Sequence, residues 1–272
     1  VHACDRYQLL YRGFEQFFNQ YWDFGINCNC YFATEELDVK IDGFKNIKSG
    51  TGEWSDRLRH LLIHEISEEY VIYIQEDVWL SEPVSAAFFN GLFEIAFKHH
   101  YKQVKLHSVD LYRTIETDQY LCGFNVAKVD NAHSKYLMSH QVTLWERNFL
   151  LSNLKPNEHP WRNERRATKR MKRTNPDIYH IDYFAQNFSS EINKNLPERK
   201  RSCFHPVSIN STLDEQFMLF VDKFQLEKPG DEAYLNKLIY HYQNGLTHDG
   251  NPKPRKDDIF KRIKLFVLRL FS

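Results

Sequence analysis

Apolar positions along the chain fall into short continuous runs that alternate with stretches at helical spacing. Residues 1–4 read as the end of a first strand. Residues 7–21 place Leu10, Phe14, Phe17, Phe18 and Tyr21 at helical spacing. Residues 29–34 and 44–48 read as strands, and a helix opens at Trp54 with Ser55 as its expected N-cap. Leu58, Leu61, Leu62 and Ile66 form the buried stripe of that helix. The run Tyr70, Val71, Ile72, Tyr73, Ile74 predicts a strand buried on both faces. Beyond Pro83 a helix is expected to about His100, then strands over 104–107, 121–129 and 136–138. Residues 140–154 predict a helix with Val142, Trp145, Phe149 and Leu150 on one face. A strand over 178–184 and helices over 213–224 and 231–242 follow. Residues 255–272 predict a basic amphipathic helix. Strand–helix–strand alternation of this kind predicts an α/β fold with a parallel sheet.

Composition narrows this only slightly. The 272 residues suffice for one large domain, or one with an appendage. A formal net charge of zero excludes a globally basic nucleic-acid binder, although basic patches stand out locally. No stretch reaches the roughly 18 apolar residues that a membrane span requires. The five cysteines are odd in number and fit no zinc spacing. Cys28 and Cys30 read as buried thiols, and a reducing cytosol is the expected compartment.

The candidate chemistry begins where the central run ends. Gln75, Glu76 and Asp77 follow it directly. Carboxylates at the carboxyl end of a parallel strand lie where open α/β sheets bind ligands, and they suit a hard divalent cation shared with substrate phosphates. A strand that merely ends in a polar turn reads equally well. Residues 161–173 hold seven Lys/Arg against the single acid Glu164, and residues 251–272 carry a net charge of +5. A basic helix with a bulky apolar face suits an anionic membrane surface, and packing against this chain or a partner serves it too.

Trp54-Ser55-Asp56-Arg57-Leu58, then Tyr70 through Glu76-Asp77-Val78-Trp79-Leu80, then Gln141 and Trp145, then Pro160-Trp161 and Glu164, resemble in order and spacing a group of bacterial sugar transferases. These have the nucleotide-diphosphosugar (GT-A) fold and act in surface-polysaccharide and lipopolysaccharide assembly. The resemblance implies a GT-A-like catalytic domain over residues 1–184. Its C-terminal part, with helices and an active-site loop, is expected over 185–254, and the basic helix at 255–272 would be a possible membrane-surface anchor. It implies a divalent metal (Mn2+ or Mg2+) held by Asp77, with Glu76 on the donor and a late His, matched by position to His248, as a further ligand. Trp79 stands where the family commonly has a second Asp, which opens the question of metal strength; core packing accounts for Trp79 as well. Asp5 and Arg6 match the nucleotide contact at the first strand's tip, and Asp56 and Arg57 would face the diphosphate from a helix N-terminus. Glu164 takes the place of the general base, its pKa expected to be lowered by neighbouring cations. Trp161 and Trp145 would contact the acceptor.

The expected function is therefore an inverting, metal-dependent glycosyltransferase. It would move a sugar from a nucleotide-diphosphate donor to a hydroxyl of a cell-surface glycan or glycolipid acceptor. It is expected to be cytoplasmic, peripheral at the inner face of the plasma membrane, and without a nucleic-acid partner. Two rivals stand beside it. A sugar nucleotidyltransferase would normally carry a Gly-rich loop after the first strand, where this chain has Cys4-Asp5-Arg6-Tyr7. A non-enzymatic membrane-peripheral binding protein would tolerate loss of Asp77.

Overall fold

The computed structural model describes residues 1–107, 112–186 and 201–252. An extended segment, residues 1–3, leads into a 3-10 turn at Asp5–Leu10 and α1 (Tyr11–Tyr21). Next come β1 (Tyr31–Thr34), β2 (Lys45–Lys48), α2 (Trp54–His60) with a π-helical turn at Leu61–Glu65, and β3 (Tyr70–Tyr73). β4 (Val78–Leu80), α3 (Ala86–His99) and β5 (Gln103–His107) follow. Four short strands come after them: β6 (Thr114–Ile115), β7 (Tyr120–Leu121), β8 (Phe124–Asn125) and β9 (Ala127–Val129). Then come β10 (Thr143–Glu146), α4 (Arg147–Asn153), α5 (Pro160–Thr174) and β11 (Tyr179–Gln186). The remaining elements are β12 (Ser202–Pro206), β13 (Ser208–Ile209), β14 (Thr212–Leu213), α6 (Met218–Val221) and α7 (Asp231–Gln243).

The main sheet has the order β3-β10-β5-β11-β12-β4. β5, β11 and β12 are parallel, and β3 shares their direction because both β3 and β5 pair antiparallel with β10. Residues 1–3 stitch β1 to this sheet: Ala33 N–H donates to Val1 O (2.9 Å), Ala3 N–H to Ala33 O (2.9 Å) and His2 N–H to Ile74 O (3.0 Å). The result is the mixed α/β architecture expected, a central multi-stranded sheet flanked by helices. β3 and β4 lie at opposite ends of the strand order, yet only residues 74–77 separate them. Five strand spacings would take about 24 Å in a flat sheet. The five Cα–Cα steps from Tyr73 to Val78 reach at most about 18 Å. The sheet must therefore curl, and Glu76 and Asp77 lie on the short bridge across that curl.

Each face of the sheet has its own core. One packs against α1 and α3 and is rich in aromatic rings; Phe88 stacks on Tyr183 at 3.8 Å and Phe17 on Trp79 at 5.5 Å. Gly13 allows the indole of Trp79 to lie against α1, since a Cβ there would come within 2.3 Å of the ring. The other core gathers α2, α5, Tyr73 and Trp145. Helix ends follow local chemistry. Ser85 Oγ accepts from Phe88 N–H at the start of α3 (3.3 Å), and α5 opens on Pro160 and stops where Asn175 turns left-handed (φ 45°).

Several expectations are corrected. Residues 143–146 are a strand, not part of a helix, because β10 sits between β3 and β5 and is buried along its whole length. Residues 136–138 form no strand, and 121–129 break at a two-residue hairpin where Cys122 (φ 47°) and Gly123 (φ 78°) both turn left-handed. Within 213–224 the helical structure is limited to a 3-10 turn and the four-residue α6, and Leu213 ends β14. β3 is half-buried at Tyr70, Val71 and Ile72 rather than fully buried. Cys28 is exposed and Cys30 partly so, because they lie in the loop before β1. Glu53, not Ser55, is the N-cap of α2. The basic helix expected at 255–272 lies outside the described residues. No helix among those described is long and apolar enough to cross a membrane.

Candidate active site

The segments ending residues 1–3, β1 and β3 bring their polar tips together. Asp5 and Glu35 clasp each other's loops. The Asp5 carboxylate accepts backbone N–H bonds from Glu35 (2.8 Å), Glu36 (2.9 Å) and Leu37 (3.0 Å), and Asp5 N–H donates to Glu35 Oε2 (2.9 Å). Arg57, buried, donates to Ala3 O (3.0 Å) and pairs with Glu35 Oε1 (3.3 Å), while its Nε has no partner. Cys4 N–H donates to Glu76 Oε1 (3.2 Å). Glu76 is 2% exposed, and burial first, then the charge of Asp77, pushes its pKa up to about 8. Burial likewise raises Asp77 to about 6.

A second loop closes on these tips. Val207 N–H donates to the Asp77 carbonyl (2.8 Å), and the neighbouring Ser208 Oγ bonds His248 Nε2 (2.7 Å). Tyr7 meets the His248 ring edge-on at 4.7 Å, and Arg6 donates to Ser211 Oγ (3.3 Å) in the same loop. His248 is buried, which lowers its pKa to about 4, and its Nδ1 is unpartnered.

On the flank, Glu164 near the start of α5 accepts His140 N–H at Oε1 (3.1 Å). The His140 ring lies 4.2 Å from Trp54 and 5.9 Å from Tyr73, whose hydroxyl accepts from Trp54 Nε1 (3.1 Å). Burial raises the pKa of Glu164, and the His140 N–H bond and the charge of Lys105 work against the rise. This corrects the expected lowering by the basic run. Arg166 and Arg170 instead turn to Glu158, Arg170 at 3.1 Å.

The structure thus gathers Arg57, Glu76, Asp77 and the His248 loop at the strand tips, while Glu164 lies on the flank against His140. Asp5 is present but fully engaged by backbone N–H groups, so it shapes the turn rather than offering a free acceptor. Asp56 Oδ2 accepts Asn157 N–H (3.0 Å), which ties the start of α2 to the loop before α5. The start of α2 is not open to an anion, since Ser55 N–H donates to Glu158 O (3.1 Å). Trp145 is 1% exposed and has no face for an acceptor, because β10 places it in the core; Trp161 is 64% exposed and does. Trp79 is core. Among the described residues no group of three or more His, Cys, Asp or Glu is arranged to hold a metal ion. Two carboxylates on one turn still fit a cation whose other ligands are a substrate's phosphates.

Sequence reasoning missed Glu35, although Glu35-Glu36 directly after β1 is the same acids-after-a-strand signal that singled out Glu76-Asp77. It also missed Lys105, fully buried, whose Nζ donates to Tyr112 OH (3.3 Å). Nothing local announces Lys105: Gln103, Lys105 and His107 alternate with Val104 and Leu106 as in a half-exposed strand.

No family model matches the chain, and no curated protein does. Among solved structures it is similar to Staphylococcus aureus TarS, with 10% identity and a TM-score of 0.43, over 89% of this chain and 43% of that one. The chain therefore spans less than half of that neighbour's length, and a likeness at this level carries no functional argument.

Proposed function

We propose that the chain is a glycosyltransferase that moves a sugar from a nucleotide-diphosphate donor to an acceptor hydroxyl with inversion. The observation that carries this reading is the convergence of Arg57, Glu76 and Asp77 at the carboxyl ends of the strands, with a half-buried carboxylate, Glu164, on the covering helix. Asp77, with Glu76 behind it, would hold a divalent cation, which supplies charge neutralisation to the departing diphosphate. Arg57, with its unpartnered Nε, adds a fixed positive charge at the same tips. The acceptor oxygen attacks the anomeric carbon, the bond from that carbon to the diphosphate oxygen breaks, and Glu164 takes the hydroxyl proton. The raised pKa of Glu164 makes it a stronger base than an ordinary surface carboxylate. Trp161 offers an exposed ring for an acceptor sugar. A cell-surface glycan or lipid-linked acceptor at an anionic membrane belongs to the same proposal.

The test measures transfer from a panel of nucleotide-diphosphate sugars with manganese present. Asp77→Asn and Glu164→Gln should each lower the rate by about 10²–10⁴-fold. A thermal-shift screen of nucleoside diphosphates with and without manganese should show stabilisation of the wild type that Asp77→Asn loses. Full transfer by both variants overturns the assignment.

A further inference from the structure

Helix α5 has two sides of opposite character. At about 3.6 residues per turn, Asn163, Ala167, Thr168 and Met171 fall together, and all four are buried. Trp161, Arg165, Arg166, Lys169, Lys172 and Arg173 are exposed on the other side, with Arg162 half-buried among them. Together they span an arc of about 140° that holds no acid. Glu164, the one acid within the helix, lies outside that arc, against His140.

We infer that this face of α5 docks on the anionic headgroups of a phospholipid bilayer. Its charge is largely uncompensated. Residues 158–173 hold seven Lys/Arg against two acids, a net charge of +5, in a chain whose total is zero. Arg165, Lys169 and Arg173 make no hydrogen bond or ion pair among the described residues. Arg162 and Lys172 donate to the backbone carbonyls of Asn157 (3.2 Å) and Ala132 (3.2 Å), which leaves their charge in place. Arg166 (3.6 Å) and Arg170 (3.1 Å) share a single acid, Glu158. Cations gathered on one side of an otherwise neutral chain create a local positive potential, and an anionic leaflet supplies its complement.

A second observation selects a bilayer among anionic partners. Trp161 stands 64% exposed at the leading end of the same arc, while the other four tryptophans are buried. An indole joins an apolar ring to a polar N–H, and it settles at the headgroup level of membranes. The cations project from an exposed ridge about 22 Å long, which a flat surface can meet all at once. A nucleic acid fits less well, because the arc holds no Asn, Gln, Ser or Thr to read base edges. The inference names a partner for the proposed transferase, and its purpose rests on that proposal. Glu164 shares the helix, so docking would hold the candidate base close to the headgroups where a lipid-linked acceptor lies. The contact itself is measured without any turnover.

The experiment is co-sedimentation of the full chain with vesicles of phosphatidylcholine, alone or mixed with phosphatidylglycerol, at about 0.1 M salt. The wild type should sediment with the anionic vesicles and not with the neutral ones, and raising the salt should release it. The double variant Arg165→Glu/Lys169→Glu should bind about tenfold more weakly or less, with an unchanged melting temperature, since both side chains are exposed and unpaired. The neutral pair Arg165→Gln/Lys169→Gln should fall between. Tryptophan emission reports which face docks, because Trp161 alone of the five is exposed. Anionic vesicles should shift that emission to the blue and shield it from acrylamide. No binding, binding without preference for anionic vesicles, wild-type binding by the charge-reversed variant, unchanged emission on binding, or tighter binding to a DNA duplex at the same salt each overturns the inference. The nucleotide thermal shift is read in parallel. Vesicle binding that depends on Arg165 and Lys169 without any nucleotide response leaves the docking face standing and removes the transferase proposal; the converse removes only the docking face.

Discussion

The two faces of the central sheet are built on different principles. The face under α1 and α3 is closed by rings: Phe17, Trp79, Phe220 and Phe224 interlock, as do Phe88, Phe89 and Tyr183. The face under α2 and α5 carries a row of polar groups in register across four strands, Tyr73, Thr143, Lys105 and His180, with His2 beside Tyr73. Several of its polar atoms are buried without a partner, among them His2 Nε2, His140 Nε2 and Thr143 Oγ1. One face is packed for stability. The other gives up stability to hold titratable groups out of water, which is where reactive sites are commonly found.

The largest test of that contrast lies on the aromatic face. Trp79→Ala should destabilise the chain by about 3–5 kcal/mol, read by urea unfolding. Gly13→Ala should be destabilising too, by about 1–3 kcal/mol through overpacking against Trp79. The sign is informative, because Ala for Gly inside an unhindered helix is favourable by about 1 kcal/mol.

On the polar face the sign should reverse. Burial lowers Lys105 to about 7 against its ordinary 10.5. Below pH 7 both folded and unfolded chains hold the proton, and the cost of burying the charge is present in full. Between pH 7 and 10.5 the unfolded chain binds more protons, so stability rises with pH and the cost fades. Lys105→Met should therefore stabilise the chain by about 2 kcal/mol at pH 6, with the gap closing toward pH 10. Denaturant melts at pH 6, 8 and 10 measure it. A gap that is constant with pH would mean that Lys105 is not buried as a charge.

The same contrast explains what could be read from the chain beforehand. The strand before Glu76, the helix Ala86–His99 and the helix Asp231–Gln243 were legible because one apolar pattern dominates each. β10 was not. A strand buried on both sides shows no alternation, and Val142, Trp145 and Phe149 fall at spacings of three and four that mimic a helix. Its two partners, β3 and β5, are fixed by tertiary contact. At the site, Asp5, Arg57, Glu76 and Asp77 were legible as residues, but their partners were not. That Asp5 is consumed by a turn, and that the start of α2 is closed by Glu158, depends on loops 30 or more positions away. Lys105 was hidden because alternation marks a strand's two faces without saying which one a helix will later cover.

The smallest effect concerns how that covering is fastened. The start of α2 and the loop leading into α5 share three bonds, Ser55 N–H to Glu158 O (3.1 Å), Glu158 N–H to Ser55 Oγ (2.9 Å) and Asn157 N–H to Asp56 Oδ2 (3.0 Å), and Arg59 further along α2 donates to Leu154 O (3.0 Å). Ser55 is fully buried, so Ser55→Ala leaves the Glu158 amide without a partner and should cost about 1 kcal/mol in a urea melt. Asp56→Asn keeps an acceptor at a partly exposed position and should change stability by no more than about 0.5 kcal/mol. Ser55 touches neither Glu164 nor the strand-tip acids, yet it joins the two helices that cover the polar row. If the seating of that lid matters for chemistry, Ser55→Ala should lower transfer by more than its loss of folded protein accounts for, and Asp56→Asn should not. Equal activity per folded molecule in both variants would mean that the polar face tolerates a loosely fastened cover, and the division of labour between the faces would then be one of stability alone.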